Sequence, residues 1–171
     1  MGPEGLGAFF VRRDQIPALA PTFVGFFSKR DMDASDDTAY FIPSLGARRY
    51  EVSSVYWPAL YGMRKSLHWL EDGVSYPFVF ERTAEMTRRC HEMLASLPAV
   101  TVHSPEQHAG LTTFSLGERE PMPIVETLAE QGVVIRFLPH SNHLRVSTGF
   151  FNNEEDLQRL REGLLEVAEN T

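Results

Sequence analysis

The sequence predicts an α+β fold, an antiparallel sheet covered by helices, with an aromatic-rich segment ahead of it. Three observations carry the prediction. From residue 78 onward the hydrophobic pattern runs helix–strand–strand–helix–strand–strand–helix, an order that closes an antiparallel sheet with helices on one face. The breaks between these stretches hold helix-ending residues, Pro98 and Gly132 among them. Composition also changes near Gly73: ten of the seventeen Phe and Tyr residues, and both Trp residues, precede it.

Taken in order, Gly2 to Asp14 (GPEGLGAFFVRRD) reads as a glycine-rich turn entering a short buried strand, Ala8 to Arg12. A second apolar stretch, Thr22 to Phe27, follows Pro17 and Pro21. Ser28 to Asp37 is polar and acidic without periodicity and reads as loop, and Ala47 to Ser54 reads as extended. An amphipathic helix runs from about Tyr56 to Asp72, with Trp57, Leu60, Tyr61, Leu67 and Leu70 near helical spacing and Gly73 stopping it as a C′ glycine. Phe78 to Leu97 is a long helix whose stripe is Phe80, Ala84, Thr87, Cys90, Leu94 and Leu97; Pro98 ends it.

Ala99 to His103 and Leu111 to Leu116 read as strands. Pro121 and Pro123 open a short helix with Val125, Leu128 and Ala129 inward, and Gly132 closes it. Val133 to Phe137 and His143 to Ser147 are strands joined by the loop Leu138 to Asn142. Asn153 caps the last helix, with Glu154, Glu155 and Asp156 in the first turn where the dipole favours anions. Its inward stripe is Leu157, Leu160, Leu164 and Val167 or Ala168. The expected division is 1–72 and 73–171. The first part carries more large aromatics than its few elements can cover, so it is either part of something longer or a homodimer interface.

Composition excludes several classes. With 43% hydrophobic and 23% charged residues, this is the balance of a globular protein. A net charge of −7 and a pI near 5.3 argue against a nucleic-acid binder, which needs a basic face. No apolar run approaches the ~18 residues that span a bilayer, and Met1 to Val11 lacks the pattern of a signal peptide. The single cysteine, Cys90, cannot form an internal disulfide, which fits the cytoplasm.

The six histidines (His68, His91, His103, His108, His140, His143) lack the tight Cys/His clustering of a zinc site, and no metal is expected. There is no G-x-S-x-G elbow. Gly2, Gly5 and Gly7 lack the Lys-Ser/Thr of a phosphate loop and precede a strand, so they form a turn. Glu118 and Glu120 fall in a solvated loop. Arg136 and Arg145 say more, because both lie on strands with apolar neighbours. A half-buried guanidinium needs an anion, and its fork suits a carboxylate. Two readings stay open: a clamp for a ligand carboxylate, or a structural pair with an acid of a nearby helix. Arg48 and Arg49 raise the same question, with the structural reading ahead.

Several of these stretches together resemble the class V branch of fold-type I pyridoxal-phosphate enzymes, which includes cysteine desulfurases, C–S lyases and isopenicillin-N-epimerase-like proteins. GPEGLGAFFV, Gly2 to Val11, looks like the glycine-rich segment after that family's Schiff-base lysine. RYEVSS, Arg49 to Ser54, looks like its R-F-E-x-G-T segment. LRVSTGFFNNEEDL, Leu144 to Leu157, is similar to its R-x-S-x-x-x-Y-N-T-x-x-D/E stretch. The matches occur in the family's order and cover essentially the whole chain. The resemblance implies the end of a fold-type I large domain (1–72, incomplete) followed by the small C-terminal domain (73–171). It implies that Arg145 holds a substrate α-carboxylate with Arg136 in support. It also implies that Ser54 reaches the pyridoxal 5'-phosphate of a homodimer partner, although Ser53 stands where the family has glycine.

Two departures qualify that expectation. The family's Schiff-base lysine would precede Gly2, upstream of Met1; only Lys29 and Lys65 are present, neither in the family's context. The desulfurase cysteine belongs on the loop between the two arginine strands, and Leu138 to Asn142 has none. The expectation is therefore the C-terminal portion of a class V enzyme acting on a small amino acid, by transamination or by C–S or β-elimination chemistry. This chain would be inactive without the missing N-terminal half. His140 or His143 at the loop mouth can touch a substrate side chain, solvent exposure being the alternative. The rival is a non-catalytic dimeric α+β module that binds a small carboxylate or a protein partner.

Overall fold

A computed structural model describes residues 2–30 and 41–169. The chain divides into two compact units, Met1–Trp69 and Leu70–Thr171. The predicted loop Ser28 to Asp37 lies from residue 31 onward outside the described residues.

Among its described residues the first unit holds three short 3-10 turns, Arg13–Gln15, Phe26–Ser28 and Ala47–Tyr50, and one helix, α1, Trp57–His68. The strands expected at Ala8 to Arg12 and in the stretch after Pro21 do not form, and the extended reading of Ala47 to Ser54 gives way to a 3-10 turn. Apolar runs of this length become strands only when a neighbouring strand takes up their backbone groups, and none does among the described residues. Side chains hold the loops instead. The Ser28 hydroxyl donates to the Glu51 carbonyl at 2.7 Å and accepts from the Gly25 amide at 3.1 Å. Arg49 donates to the Ile16 carbonyl at 2.8 Å, and the Tyr50 hydroxyl to that of Leu19 at 2.9 Å. Gly25 must be glycine, since a Cβ there would run into the Val52 carbonyl. Ile16 and Ala59 are the buried apolar residues among those described, whereas Phe10, Phe23, Leu45, Tyr56 and Trp57 are each more than 70% exposed.

Gly73 does not end α1 in a left-handed turn. The chain widens into a π-type turn, Trp69–Val74, in which the Ser75 amide donates to the Leu70 carbonyl at 2.8 Å. The positive φ falls on Ser75 (77°), whose hydroxyl accepts the Phe78 amide and caps the next helix.

The second unit is a four-stranded antiparallel sheet with three helices: α2 (Tyr76–Ala95), β1 (Val100–Val102), β2 (Leu111–Leu116), α3 (Pro121–Glu130), β3 (Arg136–Phe137), β4 (Leu144–Ser147) and α4 (Glu154–Glu169). The strand order is β1-β2-β4-β3. Its core joins Met86, Cys90, Leu94, Phe114, Leu116, Ile124, Leu128, Leu144, Leu157, Leu160 and Leu164. On α2 the expected stripe holds from Thr87 onward, but Phe80 and Ala84 are exposed and Met86 is buried in their place. On α3, Ile124 joins Leu128 inside while Ala129 is exposed.

Caps fix the ends of α3 and α4. After α3, Gly132 (φ 78°) donates to the Ala129 carbonyl at 3.0 Å, and Val133 to that of Leu128 at 2.8 Å, a Schellman motif. Ahead of α4, the Asn153 side chain accepts the amides of Glu155 and Asp156, and the Asp156 carboxylate accepts the Asn153 amide at 3.0 Å.

Candidate carboxylate-binding site

Strand alternation decides which side chains meet. Leu144 and Val146 of β4 are buried in the core, so Arg145 and Ser147 belong to the opposite face. The register pairs Arg136 of β3 and Thr113 of β2 directly with Arg145. Opposed residues of an antiparallel pair share a face, so the two arginines named from the sequence stand side by side. Like charges in that position destabilise a sheet unless an anion joins them.

Several acids of α2 and α4 are committed to other arginines. Arg82 and Arg89 of α2 share Glu85, and Arg89 also reaches Glu154. Arg88 meets Glu92, and Arg159 meets Glu155. Arg136 and Arg145 join no ion pair among the described residues, and the Arg145 Nε is shut away from solvent without a hydrogen-bond partner. Both line a cleft of about 380 Å³ with Ser147, Thr148, Asn152 and Asp156. Asp156 is the carboxylate in that cleft, yet its Oδ2 is taken by the Asn152 amide group and the Asn153 N–H. Those bonds, Asn152 first, hold its carboxyl below the ordinary aspartate range. The structural ion pair that was the alternative for these arginines does not form among the described residues.

The cleft walls are positioned from several directions. The Thr148 amide donates to the Gly110 carbonyl at 2.8 Å, an approach so close that a Cβ on Gly110 would strike the Thr148 oxygen. Thr148 and Thr87 hydroxyls meet at 2.8 Å. Arg82 donates to the Asn152 carbonyl at 3.2 Å, while the Asn152 side chain accepts the Gly149 amide at 2.9 Å. The β3–β4 connection is short and closed on itself: Leu138 N–H donates to the His143 carbonyl, and the Ser141 hydroxyl to that of Leu138.

Ser54, in the first unit, is exposed and lines a separate recess with Phe27, Arg48, Glu51, Ser53 and Trp57. The Arg48 guanidinium lies 5.2 Å from the centre of the Phe27 ring. Glu118 and Glu120 are exposed. Cys90 is fully buried in the core of the second unit, and burial pushes its thiol up to about 12.

Sequence reasoning missed one arrangement. His103 and His143 stack with ring centres 4.1 Å apart, and His103 Nε2 lies 2.9 Å from the Ser115 hydroxyl. The two histidines are forty positions apart, and only the strand register of β1, β2 and β4 brings them together. Among the described residues no three His, Cys, Asp or Glu side chains converge as a metal site would need, and no helix is long and apolar enough to cross a membrane.

Comparison with known proteins follows this geometry. The family model described as aminotransferase class-V matches residues 1–160. A probable cysteine desulfurase of Staphylococcus epidermidis is 21% identical over 187 residues, covering 99% of this chain and 43% of its own length. Among solved structures, a variant of C-DES with glycine covalently linked to its PLP cofactor superposes with a TM-score of 0.78 at 22% identity, over 98% of this chain and 43% of that one. The apo cysteine desulfurase of Thermococcus onnurineus NA1 gives 0.80 at 17% identity, over 99% and 44%. The chain thus spans less than half the length of the curated relatives it matches, and it corresponds to their C-terminal portion.

Proposed function

Because this chain belongs to the class-V aminotransferase family, we propose that it is the C-terminal, substrate-orienting portion of a pyridoxal-phosphate enzyme acting on a small amino acid. The observation that carries the reading is the register pair Arg136–Arg145, two arginines at directly opposed strand positions with no acid joined to them among the described residues. A substrate α-carboxylate supplies the missing charge. The Arg145 fork accepts it in two parallel bonds, and Arg136 adds attraction from the neighbouring strand. Held at its carboxylate, the amino acid presents one Cα bond in a fixed direction, which is how orientation lowers a barrier.

Pyridoxal phosphate, when bound, supplies the electron sink for breaking that bond. Its phosphate would be held in the recess around Ser54, which Ser53, Arg48 and the acid Glu51 also line. Neither lysine lines that recess: Lys65 lies over the Tyr61 ring at 5.5 Å, and Lys29 pairs its backbone with Pro43. On this reading the Schiff-base lysine comes from outside these 171 residues and the chain alone does not turn over. The exposed aromatics of the first unit belong against the rest of a homodimeric, cytoplasmic enzyme.

Among the reaction outcomes, the chain supports transamination or lyase chemistry over persulfide formation on its own thiol. Its one cysteine is buried, with the thiol raised to about 12, and the β3–β4 loop carries none. The test is Arg145→Ala in the cofactor-loaded enzyme. Loss of a charge-assisted pair predicts a fall in amino-acid affinity of about 2–4 kcal/mol, or roughly 30- to 1,000-fold, with cofactor retained. Unchanged amino-acid affinity refutes the assignment.

A further inference from the structure

The face of the sheet that carries the arginine pair has a second polar row. Register pairs Thr113 with Arg145 and Phe114 with Leu144, so the next rung sets Ser115 beside His143. His103 continues β1, its amide donating to the Thr113 carbonyl at 2.8 Å, and its ring crosses Ser115 to stack on His143 at an interplanar angle of 28°. His143 and Arg145 are alternate residues of one strand on one face, about 6–7 Å apart along it. In a chain of net charge −7, this face gathers two arginines, two histidines and the hydroxyl side chains of Thr101, Thr113, Ser115 and Ser147. No Asp or Glu is bonded to either histidine or either arginine among the described residues.

The near-parallel rings of His103 and His143 are in contact, with centres 4.1 Å apart, and no acid is bonded to either among the described residues. A hydroxyl and two ring N–H groups one rung from a carboxylate-binding arginine therefore describe a site for a further anionic group. Resting on the proposal that Arg145 binds the α-carboxylate, we infer that the His103–Ser115–His143 row binds the side-chain carboxylate of a dicarboxylic amino acid. This face of the sheet then selects acidic substrates over neutral ones of similar size. A neutral side chain offers the row no acceptor, whereas a carboxylate takes hydrogen bonds from ring N–H groups and from the Ser115 hydroxyl.

The experiment titrates the 171-residue chain with alanine, aspartate and glutamate, following histidine ring resonances by NMR. One acidic amino acid is expected to bind at least tenfold tighter than alanine and to shift the His103 and His143 signals. His103→Gln with His143→Gln removes that preference, bringing aspartate and glutamate to the affinity of alanine. His143→Phe, which keeps an aromatic ring in the stack, does the same and separates loss of bonding from loss of packing. Equal affinities in the unaltered chain, or a preference that survives both variants, overturn the inference. Arg145→Ala separates the two layers. If alanine affinity falls with it but no acidic preference exists, only the histidine row is misassigned. If alanine affinity is unmoved, or no amino acid binds, the carboxylate reading fails and the row's role with it.

Discussion

Replacing Arg136 should make the second unit more stable. Arg136 is exposed on a two-residue edge strand, joins no ion pair among the described residues, and stands opposite Arg145. Little apolar area depends on it, so Arg136→Gln mainly removes a like-charge contact. Directly opposed charges on a sheet are worth roughly 0.2–1 kcal/mol, and screening at 0.15 M salt, where the Debye length is about 8 Å, brings the gain toward the lower end. For a unit of this size 1 kcal/mol corresponds to about 4–8 °C, so a rise of roughly 1–8 °C is expected at low salt. The assay is thermal unfolding at low and physiological ionic strength, repeated with acetate replacing chloride at equal strength. Acetate should raise the midpoint of the unaltered chain and leave the variant nearly unmoved, since the second guanidinium is what makes the anion welcome. A loss of more than about 0.5 kcal/mol on substitution refutes the reasoning, because it means that Arg136 has a structural partner rather than an unanswered charge.

Two further outcomes follow from the same unit. Asn153→Ala removes the acceptor for the Glu155 and Asp156 amides and should cost about 1 kcal/mol in unfolding free energy. Asp156 is depressed in the folded state, so its contribution is present above the ordinary aspartate value and lost as pH falls below about 4; Asp156→Asn should flatten the acid limb of a stability–pH profile, and an unchanged limb contradicts the cap. Cys90, fully buried with its thiol pushed up to about 12, should resist a disulfide-exchange reagent at pH 8 in the folded chain and react fully in denaturant. Stoichiometric labelling of the native chain at the free-thiol rate would contradict its burial.

The second unit was legible because its elements follow from local rules. β2 falls at Leu111–Leu116 as the apolar run predicted, Gly132 takes the left-handed turn after α3, and Asn153 caps α4. The first unit was read less well. Phe9, Phe10 and Phe23 look like strand residues, yet strands are made by pairing, and the described residues offer them no partner. The error on Phe80 and Ala84 has a related cause: periodicity gives a helix an apolar stripe but does not say how far along the helix the neighbouring sheet extends.

By itself, the sequence determined the α+β architecture of residues 73–171, the two candidate arginines and the family to which the chain belongs. Period, caps and short motifs are properties of neighbouring residues. What it left undecided was whether the arginines answer an acid of the same chain or wait for one, and which residues share their face. Those questions depend on strand register, which joins Arg136 to Arg145 and His103 to His143 across the loops between strands. A slip of one residue would turn every one of these side chains to the other face. The tertiary structure therefore decided which side chains share the candidate site, because it alone fixed the register.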